Sequence, residues 1–194
     1  MGNAFVLHLI RHAPTAGNGR KAYIGWTDEP ILPFEAQPDH AARHVWGSDL
    51  LRCRQTAQLL FPNARYKADA NLRELNFGDW EGKTYSDLQS NARYRQWIND
   101  PLSVQPPNGE SFQQLAERVE RAIGAFPETG NFTIVTHGGP IRYILAKANG
   151  GEFFSQQAAH GRCYTVAWAS KSAYKEGQAC ISFLEEPLTA NANM

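Results

Sequence analysis

Two short apolar runs constrain this chain more than anything else in it. The first, AFVLHLI at residues 4–10, stops abruptly at Arg11-His12 and breaks into a loop through Pro14, Gly17 and Gly19. The second, FTIVT at residues 132–136, stops at His137-Gly138-Gly139. Short apolar runs with β-branched residues, bounded by turn formers, read as buried strands. A core gains nothing from ending two strands on imidazole and guanidinium groups. A site that must hold an anion does.

Around these two runs, strands and helices alternate. HVWGS (44–48) reads as a strand, DLLRCRQTAQLLF (49–61) as a helix that Pro62 stops, and ARYKA (64–68) as a third short strand. Ser111 is a good N-cap for a helix running to about Phe126. GGPIRYILAKANGG (138–151) reads as a helix that begins after two glycines and ends at Gly150-Gly151. CYTVAWAS (163–170) and ACISFLEE (179–186) read as late strands. This order predicts an α/β three-layer sandwich, a mainly parallel sheet flanked by helices, in a single domain over 1–194. Residues 13–40 are rich in Gly and Pro and read as loop. Residues 72–110 interrupt the alternation and predict a small helical and loop cap. There LRELNFGDWEG is a loop, and an amphipathic helix over 84–99 is expected to bury Tyr85, Leu88, Tyr94, Trp97 and Ile98. The tail TANANM is expected to fray.

Composition removes several function classes. The 19 Lys and Arg balance the 19 Asp and Glu, which argues against a nucleic-acid partner. No run approaches the roughly 18 apolar residues of a membrane span, so no membrane partner is expected. The N-terminal apolar run lacks a basic flank and a small-residue cleavage site, so a cytoplasmic location is expected. Cys53, Cys163 and Cys180 are odd in number and far apart, with neither a disulfide framework nor paired metal spacing.

In an open α/β sheet, ligands sit at the carboxyl ends of the strands, so His12 and His137 are expected to face one crevice. Arg52 and Arg54 lie in the first turns of the helix after the second strand. The glycines after His137 leave a helix N-terminus uncovered, where backbone N–H groups attract anions. Arginine forks match phosphate oxygens, which makes phosphate the natural ligand. For the histidines, metal binding is one option, but no carboxylate or cysteine stands beside them at ligand spacing, and arginines repel a cation. Phosphoryl transfer to an imidazole nitrogen is the other. A departing alkoxide then needs a proton, for which Glu74 and Glu81 are candidates. The residues themselves lead to an anion site with nucleophile and acid candidates, and no further.

The pieces LIRHAPTAGN, GWTDEPI, SDLLRCRQTA, LRELNFGDWEG, NGESFQQLAERV and IVTHGGPIR run in order from residue 7 to about 145. Together they resemble the histidine phosphatase superfamily, the phosphoglycerate-mutase-like fold. The resemblance implies that His12 is the phosphorylated nucleophile and that Arg11 and Arg52 clamp the phosphate. It makes His137 the second histidine of the phosphate pocket, and Glu74 the acid that protonates the leaving group and later activates water. Asn18 matches a position that touches phosphate, with the Gly138 N–H beside it. The spacing S-x-L-x-R-x-x-x-T-A selects Arg52 over Arg54.

LRELNFGDWEG, the Trp-bearing helix and NGES are most similar to the α-ribazole-5′-phosphate phosphatase-like branch. The resemblance therefore implies a phosphomonoester hydrolase that needs no metal and no cofactor, with a small phosphorylated metabolite as substrate, as a monomer or homodimer. Two alternatives stand beside it: mutase-type phosphoryl transfer, which asks for more lid sequence, and a non-catalytic anion binder, which would need no acid. The chain departs from the family pattern twice. Ala13 stands where glycine is usual, and ILPFEAQPDHAAR (31–43) is short and carries two prolines. The first helix is therefore expected to be truncated or lost. Arg54, Glu110 and His160 are left without roles.

Overall fold

The computed structural model describes residues 4–188; the tail TANANM lies outside the described residues. Its centre is a six-stranded sheet in the order β3-β2-β4-β1-β5-β6. The strands are β1 (Phe5–Arg11), β2 (His44–Gly47), β3 (Arg65–Ala68), β4 (Gly130–Thr136), β5 (Arg162–Trp168) and β6 (Ser182–Pro187). β1 is parallel to β4, and β2 is parallel to β3 and β4. β5 runs antiparallel to both β1 and β6. Seven helices accompany the sheet among the described residues: α1 (Ala16–Gly19), α2 (Leu51–Leu60), α3 (Tyr85–Leu88), α4 (Ala92–Asn99), α5 (Phe112–Gly124), α6 (Gly138–Asn149) and α7 (Lys171–Lys175).

The alternation of β1 and β4 divides the core into two layers. Phe5, Leu7 and Leu9 of β1 and Phe132 and Ile134 of β4 pack against α5 and α6. Ile10 and Val135 point the other way, onto Cys53, Ala57 and Leu60 of α2. One register detail sets the site. Arg11 pairs with Thr136, so His12 and His137 leave neighbouring strands at the same level.

Local signals set the helix ends. Ser111 and Gln114 form a reciprocal capping box at α5, and Gly150 closes α6 with φ of 65°. Three expectations need correction here. The helix predicted over 84–99 is broken into α3 and α4, because the Asn91 side chain accepts from Tyr94 N at 3.0 Å and starts a new helix. Its buried face is also narrower than expected. Leu88, Tyr94 and Trp97 pack around Trp80, whereas Tyr85 and Ile98 are exposed. In addition, α6 takes both glycines into its first turn, with His137 as its N-cap.

Between Arg20 and Leu50 the described chain forms no helix, so the expected first helix is lost. The segment drapes along α2 instead, with Ile31 N donating to Gln55 Oε1 and Asp39 N to the Leu60 carbonyl. The sheet face that a helix there would cover is half bare. Val6 and His8 are only partly buried, His8 Nδ1 lies 2.9 Å from Thr165 Oγ1, and every residue of β6 is exposed.

Candidate active site

His12 is 3 % exposed where β1 leaves the sheet. Its Nδ1 lies 2.7 Å from the Ala13 carbonyl oxygen. A carbonyl only accepts, so Nδ1 carries the proton and Nε2 keeps a bare lone pair. Burial, with the charge of Arg52 second, holds the imidazole well below its ordinary pKa, so it is neutral at neutral pH. Ala13 has negative φ, which any residue adopts, so the alanine that replaces the usual glycine brings no backbone strain.

Arg52 is fully buried and completely oriented. Its Nε donates to His137 Nδ1 at 3.2 Å, Nη1 to the Thr27 carbonyl at 2.8 Å, and Nη2 to the Gly25 carbonyl at 2.6 Å. A terminal guanidinium nitrogen carries two hydrogens, so each of these still has one N–H for an anion. Because His137 accepts at Nδ1, its proton sits on Nε2, 3.4 Å from Cys53 Sγ. Burial, then Arg52, pushes His137 well below the ordinary value as well. The His12 and His137 rings stand edge to face at 5.0 Å.

Arg11 anchors through Nη1 to the Ala158 carbonyl at 2.7 Å, while its buried Nε has no protein partner. Gly138 lies between charges of opposite sign. A Cβ there would stand 3.4 Å from Glu74 Oε2 and 3.5 Å from Arg11 Cζ. Glu74 accepts from Gly139 N at 2.9 Å and from Leu75 N at 2.9 Å. Arg73 pairs with Asp49 at 2.5 Å and leaves Glu74 alone. The loop that carries Glu74 is held by a buried ion pair. Arg118 binds both oxygens of Glu110 and donates to the carbonyls of Asn71, Arg73 and Glu74. Glu110 therefore acts through Arg118 on the Glu74 loop.

The structure thus brings together Arg11, His12, Arg52, Glu74, His137 and Gly138. Asn18 is held in a capping box with Thr15, whose N–H and hydroxyl both donate to Asn18 Oδ1, and no bond among the described residues ties it to the other site residues. Arg54 stays outside, bonded to the Asp49 carbonyl and exposed. His160 is an addition. Its Nδ1 lies 2.7 Å from the His12 carbonyl, and its ring stands 5.1 Å from that of His12. No local motif marks it, because the contact spans 148 residues. Beside Glu74 and Gly139 lies a cavity of 140 Å³ lined by Tyr23, Phe77, Trp97, Phe112 and Phe153, with Arg142 at its wall. Arg142 Nε is buried without a protein partner. No cluster of three or more His, Cys, Asp or Glu among the described residues could hold a metal. No helix among them is long and apolar enough to cross a membrane.

Three neutral imidazoles side by side make stability depend on pH. Unfolded, they protonate near 6.5; folded, they do so only further down, and His160 at about 4. In that interval the unfolded state binds more protons, so stability is full above the unfolded pKa and is lost as pH falls. The Tm is expected to drop between about pH 7 and pH 5, and to drop less in His160→Gln. Identical slopes in thermal scans of the two proteins would contradict the neutral assignment of His160.

A nucleophile-ready imidazole, buried arginines with unspent donors and a carboxyl group at a helix N-terminus, all at the carboxyl end of a mainly parallel sheet, define a phosphoryl-transfer enzyme. The histidine phosphatase superfamily (branch 1) model matches residues 7–177. The chain belongs to that superfamily and is a phosphatase, hydrolysing phosphate esters through a phosphohistidine. It is 34 % identical over 160 residues to the adenosylcobalamin/α-ribazole phosphatase of Escherichia coli K12, covering 74 % of this chain and 79 % of that one. It is 31 % identical over 149 residues to a Citrobacter koseri protein named "Probable phosphoglycerate mutase GpmB", covering 68 % and 69 %. Among solved structures, the α-ribazole phosphatase of Shigella flexneri shares its fold, with a TM-score of 0.76 at 24 % identity, covering 97 % of this chain and all of that one.

Proposed function

We propose that this phosphatase uses His12 as its nucleophile, Arg11, Arg52 and the Gly138 N–H as its phosphate cradle, and Glu74 as its acid and base. His137, whose Nδ1 accepts from Arg52 Nε and whose Nε2 lies against Cys53, serves the cradle by holding Arg52 rather than by touching phosphate. The observation that carries the reading is the bare Nε2 of a neutral His12, set beside two guanidinium groups that keep free N–H donors. The His12 Nε2 lone pair attacks phosphorus and forms the N–P bond as the P–O bond to the leaving group breaks. Arg52 and Arg11 stabilise the charge spread over the equatorial oxygens. Glu74 then hands its proton to the departing alkoxide. In the second half, ionised Glu74 takes a proton from water, the resulting hydroxide attacks phosphorus, the N–P bond breaks and inorganic phosphate leaves.

The aromatic cavity beside Glu74 is the place available to a leaving group, and its lining favours an alcohol that carries a flat heteroaromatic ring. With the likeness to enzymes named for α-ribazole, this makes α-ribazole 5′-phosphate the proposed substrate. The test is kcat/KM for α-ribazole 5′-phosphate, 3-phosphoglycerate and nitrophenyl phosphate, with chelator present. A clear preference for the first is expected. Faster turnover of 3-phosphoglycerate would overturn the substrate assignment, and loss of all activity in chelator would overturn the metal-free site.

A further inference from the structure

Arg52 is the most tightly specified side chain in the site, and the groups that specify it come from an exposed loop. Gly25 is buried, but Trp26 is 40 % exposed and Thr27 is exposed, so packing alone does not shape residues 25–27. What shapes them is Glu81. Its Oε2 accepts from Gly25 N at 3.1 Å, Thr27 N at 3.1 Å and the Thr27 hydroxyl at 2.7 Å. Its Oε1 accepts from Trp26 N at 2.9 Å and Phe77 N at 3.0 Å. Three successive N–H groups therefore close on one carboxylate. The same residues turn two carbonyls, Gly25 and Thr27, onto the Arg52 guanidinium. The loop has no slack at Gly25, where a Cβ would stand 2.0 Å from the Leu75 carbonyl. It also reaches the acid, because Trp26 Nε1 donates to the Glu74 carbonyl at 2.9 Å.

We propose that Glu81 is a positioning residue for the phosphate clamp: by gathering the 25–27 N–H groups it aims the two carbonyls that orient Arg52. Glu81 touches neither substrate nor reacting atoms, and it acts through Arg52. The proposal rests on Arg52 being the clamp. In Glu81→Gln, whichever oxygen is replaced, at least two backbone N–H groups face an amide nitrogen that cannot accept. The loop then loses its template although the side-chain volume is kept.

The test is a double-mutant cycle on kcat/KM for nitrophenyl phosphate, using Glu81→Gln and Arg52→Lys singly and together. Phe132→Leu, in the distant core, serves as a control for loss of stability. Glu81→Gln is expected to lower kcat/KM about 10²-fold, the scale of a remote change that misplaces a reacting group. In the Arg52→Lys background it should cost less than about threefold, because the two residues act as one unit. Phe132→Leu should lower Tm but not kcat/KM. Equal losses from Glu81→Gln in both backgrounds would overturn the proposal, as would near-parent activity in Glu81→Gln alone. Full activity in Arg52→Lys would instead overturn the clamp, and the proposal with it. Should Glu81→Gln fail to fold, Thr27→Val takes its place in the cycle. It removes one hydroxyl contact and keeps the carbonyl, with the same non-additivity expected.

Discussion

His12→Ala is expected to abolish turnover, lowering kcat by about 10⁴-fold or more, the scale seen when a covalent nucleophile is removed. The neighbouring imidazoles are poor substitutes. His137 has Nδ1 committed to Arg52 and Nε2 against Cys53, and His160 Nδ1 is tied to the His12 carbonyl. The cradle itself would remain, so the variant should still bind inorganic phosphate. Rapid alkaline quench with labelled substrate gives the sharper reading: an acid-labile, base-stable phosphoenzyme in the parent and none in the variant. Substantial steady-state activity, or labelling of the variant, would move the nucleophile elsewhere.

Glu74→Gln is expected to separate substrates by their leaving groups. General acid catalysis contributes about 10²–10⁴-fold, and an alkyl ester such as α-ribazole 5′-phosphate needs all of it in the first step. Nitrophenyl phosphate releases a stable phenolate and needs little. The variant should therefore lose most of its rate on the alkyl ester and keep a larger share on the nitrophenyl ester. With the second substrate, phosphoenzyme should accumulate, because water then lacks its base. Equal losses on both substrates, without accumulation, would leave Glu74 a structural residue. Its bonds to Gly139 N and Leu75 N would then explain it as a brace for the start of α6.

The sheet and its order of elements were legible because strand and helix periods differ, and this chain keeps them apart. The six motifs also led to Arg11, His12, Arg52, Glu74 and His137, which the fold collects at one end of the sheet. What stayed hidden depends on contacts between distant segments. His160 meets His12 across 148 residues, and nothing near it in sequence announces the meeting. Glu110 has no role in the sequence reading, yet it is the buried partner of Arg118. Glu81 reads as a second candidate acid, yet its carboxylate accepts five bonds from residues 25–27 and Phe77. The break between α3 and α4 was present in Asn91, a strong capping residue inside an otherwise helical pattern. The exposure of Tyr85 and Ile98 follows from that break, because two short helices do not share one continuous buried stripe.

The lost helix leaves β1 answering to two different environments along one strand. Phe5, Leu7 and Leu9 are fully buried, and there each methyl group removed would open a cavity worth roughly 1 kcal/mol or more. Val6 and His8 alternate with them on the half-bare side, where both are only partly buried. Substitutions should therefore be tolerated with a period of two along the strand, strictly at odd positions and loosely at Val6 and His8, until Ile10 meets α2. Sequence drift in descendants of this chain has room on that face of the sheet, and it can proceed there without disturbing Arg11 and His12 at the strand's end.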